Sequence, residues 1–315
     1  MGTAPVSVQM IIFVGHANTQ EIMPTQYTAN VNNYLSLVKF AHTIFALPFA
    51  LIGYFIATRA DGYAFSWNTL LLGLLCMLFA RNAAMSFNRY ADREYDSQNP
   101  RTSAREIPAK VIKPRAALAF ALINSFLFVI ATWFINRLCF WLSPVALAVI
   151  LGYSYAKRYT AFSHFILGLG LSLAPAGAYL AVAGRFSLLP VILSVAVLFW
   201  VSGFDIIYAL QDDEFDREQQ LHSMPAALGR KWSLVLSAFL HTMVATLLLW
   251  VGLSRNFGPM FWAGYIIFSG LLLYQHLLVK PFDLSRVNVA FFTLNGIASL
   301  LFAVFTIADL FLKAY

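Results

Sequence analysis

The chain has 315 residues, is 60% hydrophobic and only 11% charged, and has a mean hydropathy of +0.71. A soluble domain carries roughly 25% charged residues, so this composition excludes a soluble globular protein and points to an integral membrane protein built as one bundle. The formal net charge of +7 is not gathered into a basic stripe on a soluble domain, which argues against nucleic acid as a partner.

Residues 1–33 read as an N-terminal extension, and residues 34–315 as the membrane domain. The run "VSVQMIIFVGH" is too short to cross a bilayer, which takes about 20 apolar residues. It also lacks the basic start of a signal peptide, so an interfacial segment is the expectation. Nine long apolar runs follow: Leu35–Thr58, Trp67–Asn88, Ala116–Asn136, Leu138–Tyr155, Ser163–Gly184, Leu188–Leu210, Trp232–Leu253, Phe257–Val279 and Val287–Leu312. They predict an all-helical membrane bundle, because a helix satisfies its own backbone in lipid.

The first run opens with "LVKFAHTIFALPFA", which puts His42 at its start. The second carries Arg81 and ends in "RNAAMSFNRYADREYDSQNPRT", where Asn88, Asp92 and Asp96 recur every four residues. On a helix Asp92 and Asp96 share a face and repel. The loop that follows, "SQNPRTSAREIPAKVIKPR", holds Arg101, Arg105 and Lys110. The third and fourth runs meet at "INRLCFW", a tight helical hairpin, and the fourth ends in "YSYAKRY", with Tyr153, Lys157 and Arg158. Cys76 and Cys139 lie in apolar runs and suggest neither a disulfide nor a metal site. The sixth run carries Asp205 and closes in "DIIYALQDDEFD". His164, His241 and His276 show no ligand spacing and read as packing or interhelical hydrogen bonds.

Fifteen of the 21 Lys and Arg residues fall on the side reached after even-numbered runs. Five fall on the other side (Arg59, Arg137, Arg185, Arg255 and Lys313), and Arg81 lies within a run. The positive-inside rule makes the first side cytoplasmic and leaves the C-terminus outside. Ten of the 14 acids lie in two clusters on that same side, around Asp92–Glu106 and Asp205–Glu218.

"DREYD" at Asp92–Asp96 and "DDEFD" at Asp212–Asp216 share the pattern Asp-x-Glu-aromatic-Asp, 120 residues and four runs apart. The match in topological position predicts two pseudo-repeated four-helix units plus one extra span around a central cavity. Two carboxylates one turn apart offer oxygen ligands to a hard cation. Mg²⁺ takes one or two protein carboxylates and fills its other positions with water and substrate phosphate. Asn88, Asp92, Asp96, Asp212 and Asp216 are therefore the candidate Mg²⁺ and catalytic residues. Arg101, Arg105, Lys157 and Arg158, with Tyr153 one turn before Lys157, are candidates to bind a diphosphate. The bland alternative is a solvated helix end that marks the membrane edge. Arg81 and Asp205 lie deeper. Ionisable groups there usually face a cavity or a partner, so the two are candidates to pair, or to form a polar floor for a second, anionic or hydroxylated substrate. A secondary transporter would share the repeats and the buried charge, but its carboxylates belong at the midplane rather than at one membrane face.

Asn88-x-x-x-Asp92-x-x-x-Asp96 followed by "NPRT", Arg81, Tyr153-x-x-x-Lys157, "DIIYALQDDEFD" and "HTIFALPFALIG" together resemble the UbiA-type intramembrane prenyltransferases from about Leu35 to the C-terminus. The resemblance implies Mg²⁺-dependent transfer of a polyprenyl chain from a prenyl diphosphate to an aromatic ring in a quinone pathway. It implies that Asn88, Asp92, Asp96, Asp212 and Asp216 form the Mg²⁺–diphosphate site, with Arg81 and Asp205 toward the aromatic acceptor. The expected setting is the bacterial inner membrane, with the site facing the cytoplasm. Arg89, where many members carry Asp, and "TSAREIPAKVI" depart from the common pattern. They resemble the 4-hydroxybenzoate polyprenyltransferase branch, some of whose members look adapted to a naphthoate acceptor. A haem- or chlorophyll-type enzyme would keep the same site and change the acceptor.

Overall fold

A computed structural model describes residues 30–38 and 45–313, so most of the N-terminal extension, Lys39 and His42 lie outside the described residues. The elements are all helical: α1 (Val31–Leu37), α2 (Leu47–Phe55, continued by a π turn Ile56–Ala60), α3 (Trp67–Ala91), α4 (Arg93–Gln98), α5 (Pro114–Ile135) and α6 (Arg137–Ala156). Then come α7 (Ser163–Ala183), α8 (Leu188–Ala209, then a 3₁₀ turn Leu210–Asp212), α9 (Asp213–Glu218), α10 (Met224–Ser254), α11 (Pro259–Leu278), a π turn Val289–Leu294, and α12 (Asn295–Leu312).

Among the described residues, eight helices are long and apolar enough to cross a membrane, and Leu47–Ala60 is a shorter apolar helix. The protein is therefore an integral membrane protein. The expected first span, Leu35–Thr58, is where the structure differs. Asn30 opens α1 with a reciprocal capping box to Asn33, and α1 ends at Leu37. The next described helix starts at Leu47, with Pro48 in its first turn, where a missing N–H costs nothing. The other ends follow local chemistry. Ser66 caps α3 through Thr69 N. Asn136 alone makes the expected hairpin. It closes α5, its side chain accepts from Cys139 N at 2.9 Å to open α6, and its amide donates to Leu180 O at 2.8 Å on α7. Inside α10, Gly229 takes φ 77°, a left-handed conformation that breaks the first turn from the long span beginning at Arg230.

The two units are α2–α3–α5–α6 and α7–α8–α10–α11, with α12 as the extra span. α3 packs on α5, α7 on α8 and α8 on α10, while α2 lies against both α7 and α12. A Cβ on Gly53 would lie 2.1 Å from Pro175 O, so only glycine lets α2 approach α7 this closely. The apolar core is centred on α8, which is 56% buried over its most apolar window against 11% for α6. Phe49, Trp200, Phe268 and Phe302 meet there at ring-centroid distances of 5.2–6.3 Å.

Polar groups inside this core close a ring. Trp200 Nε1 donates to Asn295 Oδ1 (2.8 Å), Asn295 Nδ2 to Gln275 Oε1 (3.2 Å), Gln275 Nε2 to His241 Nδ1 (3.1 Å), and His241 Nε2 to Trp200 O (3.2 Å). His276 Nε2 lies 2.8 Å from the same His241 Nδ1. Thus His241 and His276 do make the interhelical hydrogen bonds expected of them. Asn295 also donates to Ala290 O and Phe291 O, which holds the π turn before α12. Asn295→Leu should leave Trp200 N–H, Gln275 O and those carbonyls without their donor or acceptor. The expected cost is about 1–3 kcal/mol, near the upper end of what interhelical bonds in membranes contribute. Thermal unfolding in detergent checks this: an unchanged midpoint would show that the ring does not stabilise the bundle.

Candidate active site

The two repeated motifs occupy equivalent breaks in the chain. Asp92 (φ −91°, ψ 4°) separates α3 from the short α4, and Asp212 (φ −111°, ψ 6°) separates α8 and its 3₁₀ turn from the short α9. Both adopt the sparsely populated bridge conformation, common at active sites. The motifs therefore do not simply continue their helices. Each begins a new short helix after its first Asp.

In the first motif Asn88 Nδ2 donates to Asp92 Oδ2 at 2.8 Å. Arg158 Nη2 lies 3.6 Å from Asp92 Oδ1 and donates to Ala91 O at 2.7 Å. Arg105 Nη1 donates to Asp96 Oδ1 at 2.6 Å, while Asp96 Oδ2 is buried without a hydrogen-bond partner. In the second motif Arg101 grips Asp212 with two donors, Nε at 2.8 Å and Nη2, and Asn99 Nδ2 adds a third bond at 3.1 Å. Arg101 Nη1 also donates to Tyr208 OH at 2.8 Å, and the Tyr208 ring stacks on Phe291 with centroids 4.1 Å apart. Lys157 Nζ sits 3.5 Å from Asp216 Oδ2. The cations thus bridge the repeats, because the loop after the first motif supplies Arg101 to the second.

Burial, followed by the neighbouring Asp96 carboxylate, pushes the Asp92 carboxyl up to about 6, against the pull of Lys157, Arg158 and the Asn88 bond. Burial works against the Lys157 ammonium, yet the carboxylates of Asp216, Asp212, Asp205 and Asp92 outweigh it and hold its pKa above the ordinary value. Lys157 therefore stands in the field of both motifs.

The deeper residues are arranged differently from the expectation. Asp205 takes His164 as its partner, Nδ1 to Oδ2 at 2.7 Å, where the sequence suggested Arg81. The reason is local: His164 lies in the first turn of α7, which packs tightly on α8. Arg81 and Asp205 both act electrostatically on Tyr153, which places all three in one neighbourhood. Arg89, 3% exposed, lies within electrostatic reach of Asp96 and Glu106, two acids it helps to balance. Lys110 is exposed and joins none of these pairs. Asp213 is held by Arg230 through two bonds, 2.9 and 2.8 Å, and so belongs to the scaffold. Asn99 and Tyr208 are the site neighbours that sequence reasoning missed, although Asn99 stood within the quoted "NPRT" and Tyr208 within "DIIYALQDDEFD". His164 makes the interhelical hydrogen bond expected of it, but nothing in the sequence pointed to Asp205 as the partner.

Among the described residues, no three His, Cys, Asp or Glu side chains converge as a metal cluster. The expected convergence of five oxygen-bearing ligands is thus replaced by carboxylates that each face a basic neighbour. The donor set still fits Mg²⁺, which needs only one or two carboxylates in each site. Asp96 keeps a buried oxygen with no partner, and the strain on Asp92 is the kind a cation relieves.

A profile of the UbiA prenyltransferase family matches residues 46–297. A 4-hydroxybenzoate octaprenyltransferase of Burkholderia ambifaria is 30% identical over 78% of this chain and 83% of its own. One from Aeromonas hydrophila is 29% identical over 78% and 84%. Among solved structures, an apo UbiA homologue from Aeropyrum pernix K1 superposes with a TM-score of 0.77 at 30% identity, covering 85% of this chain and 98% of that one. A UbiA homologue from Archaeoglobus fulgidus, bound to DMAPP and Mg²⁺, shares the fold with a TM-score of 0.68 at 21% identity, over 89% and 100% of the two chains. With the profile matched over most of the chain, and the paired motifs at the end of a membrane bundle, the chain belongs to the UbiA prenyltransferase family and is a membrane-embedded prenyltransferase.

Proposed function

We propose that the protein transfers a polyprenyl chain from a prenyl diphosphate to the ring of a 4-hydroxybenzoate-like acid, in a quinone pathway, at the cytoplasmic face of a bacterial inner membrane. The observation that carries this is the pair of Asp-x-Glu-aromatic-Asp motifs at equivalent helix breaks, interleaved with Arg101, Arg105, Lys157 and Arg158. The names of the Burkholderia and Aeromonas relatives support the acceptor class.

In this reading Asn88, Asp92, Asp96, Asp212 and Asp216 hold Mg²⁺, which when bound neutralises charge on the leaving diphosphate. Arg101, Arg105, Lys157 and Arg158 take up the remaining phosphate charge, which grows as the allylic C–O bond breaks. The ring carbon then forms the C–C bond to the allylic carbon, and the ring proton it loses passes to the released diphosphate, a base the reaction itself supplies. The apolar enclosure keeps water from the allylic cation, and the lipid-like tail enters from the bilayer. The test is a panel of aromatic acids, naphthoates included, incubated with purified protein, Mg²⁺ and a long prenyl diphosphate. A prenylated 4-hydroxybenzoate identified by mass is the expected product. A product only from a naphthoate would move the acceptor to the menaquinone class, and none from any acid would sink the reading.

Arg81 lies seven residues before Asn88 on α3, about 10 Å along the helix axis. That is deep for a diphosphate and well placed for the acceptor. Arg81→Ala should weaken the aromatic acceptor by about 1.5–3 kcal/mol, or roughly tenfold to a hundredfold, and change prenyl diphosphate much less. Titrating each substrate with Mg²⁺ present decides it; a collapse in diphosphate affinity alone would place Arg81 in the diphosphate cradle.

A further inference from the structure

Asp205 differs from the four motif carboxylates in the kind of partner it has. Asp92, Asp96, Asp212 and Asp216 each face an Arg or Lys. Asp205 faces an imidazole whose two ring nitrogens have different partners. The backbone N–H of Met224 donates to His164 Nε2 at 3.3 Å, so Nε2 carries the lone pair. The proton then resides on Nδ1, which donates to Asp205 Oδ2 at 2.7 Å. His164 is 0% exposed and sits in the first turn of α7. With Nε2 accepting from Met224 and Nδ1 donating, the ring is a donor that orients Asp205.

Ser202 Oγ donates to His164 O, and a Cβ on Gly168 would lie 2.5 Å from Ser202 Oγ and 2.6 Å from Leu198 O, so α7 and α8 pack closely at this level. Met224 opens α10 directly after the second motif. One imidazole thus ties α7, α8 and the start of α10 to a single carboxylate. That carboxylate is 20% exposed and within electrostatic reach of Tyr153 and Lys157.

We propose that His164 is a positioning residue for the aromatic acceptor: it holds the Asp205 carboxylate oriented, so that the carboxylate accepts a hydrogen bond from the acceptor's phenolic hydroxyl. The inference rests on the acceptor reading above and adds to it the residue that sets the geometry. The hydrogen bonds of His164 go to Asp205, Met224 and Ser202, none of which is assigned to the diphosphate, so the acceptor is where its loss should be felt most.

The experiment compares Michaelis constants for both substrates in full-length protein with Mg²⁺. Asp205→Ala is measured first and should raise KM for 4-hydroxybenzoate; if it does not, the acceptor reading of this corner is wrong. Given that rise, His164→Ala should raise the same constant about tenfold, the loss of one charge-assisted bond. KM for prenyl diphosphate should stay within about twofold, and the effect should nearly vanish in the Asp205→Ala background. Asn at 164 can present an N–H near the Nδ1 position, whereas Gln presents one near Nε2. His164→Asn should therefore recover most of the acceptor affinity and His164→Gln should not. This contrast still reads out if the alanine variant fails to fold. Equal losses for both substrates, full additivity with Asp205→Ala, or rescue by Gln rather than Asn would each overturn the inference.

Discussion

Asp92→Ala and Asp212→Ala each bring prenyl transfer down by at least about 10²–10³-fold, the scale on which removing one preorganised electrostatic contact acts in other enzymes, while both proteins still insert and purify. The two residues occupy the same backbone break in their respective repeats, so neither is a packing element of a span. Asp212→Ala also deprives Arg101 of its two-donor grip, and Arg101 keeps its bond to Tyr208. Because the Arg101 side chain is 30% exposed, water can take over part of its hydration and the bundle survives. Asp92→Asn and Asp212→Asn keep shape and remove charge, so they should be as inactive as the alanines if charge is what matters. Near-normal rates in either alanine variant would reduce that motif to a marker of the membrane edge. Rates should be read beside a melting curve, so that lost turnover is not mistaken for lost fold.

The second large effect is on metal removal. Turnover falls to background in EDTA and returns with excess Mg²⁺. Burial, and then the Asp96 carboxylate, push the Asp92 carboxyl up to about 6, and Asp96 Oδ2 is buried with no hydrogen-bond partner among the described residues. A hard divalent cation relieves both at once, and few other ligands do. Tryptophan fluorescence of metal-free protein titrated with Mg²⁺ and a non-reactive prenyl diphosphate analogue gives a readout apart from turnover. The analogue should bind at least tenfold more weakly in chelator. Full activity in EDTA would remove the metal from the account.

The spans were legible because lipid enforces length. From Trp67 onward the expected runs and the helices share their ends within a few residues, except at α10, where Gly229 hides a break that hydropathy does not see. The first span was misjudged at its start. α1, capped by Asn30, ends at Leu37, and the next described helix starts at Leu47 with Pro48 in its first turn, within a run that reads as continuously apolar. The repeated motif was legible because both copies keep the same five-residue pattern. The partners were not. Arg101 and Asp212 are 111 residues apart, and His164 and Asp205 are 41 apart, so their pairing depends on which helix ends meet and not on any local spacing. The Asn295–Gln275–His241–Trp200 ring was hidden for the same reason: each member is a lone polar residue in an apolar run. Asp309 is another such case. It accepts from Gly258 N at 2.7 Å and Phe261 N at 3.3 Å, capping α11 from the far end of α12.

The pairing of Asp92, Asp96, Asp212 and Asp216 with Arg158, Arg105, Arg101 and Lys157 has a bearing on selectivity. A pocket lined by unpaired arginines would be a trap for inorganic phosphate and nucleotides, which every cytoplasm holds in abundance. Here each guanidinium or ammonium is already claimed by a carboxylate, so a stray anion must out-compete an intramolecular rival at every contact. A diphosphate that arrives together with divalent cations faces a lighter contest, because it brings replacements for the carboxylates it displaces and an apolar tail that lipid already delivers to the door. On the proposed function, the resting site would discriminate by exchange, turning away anions that come alone.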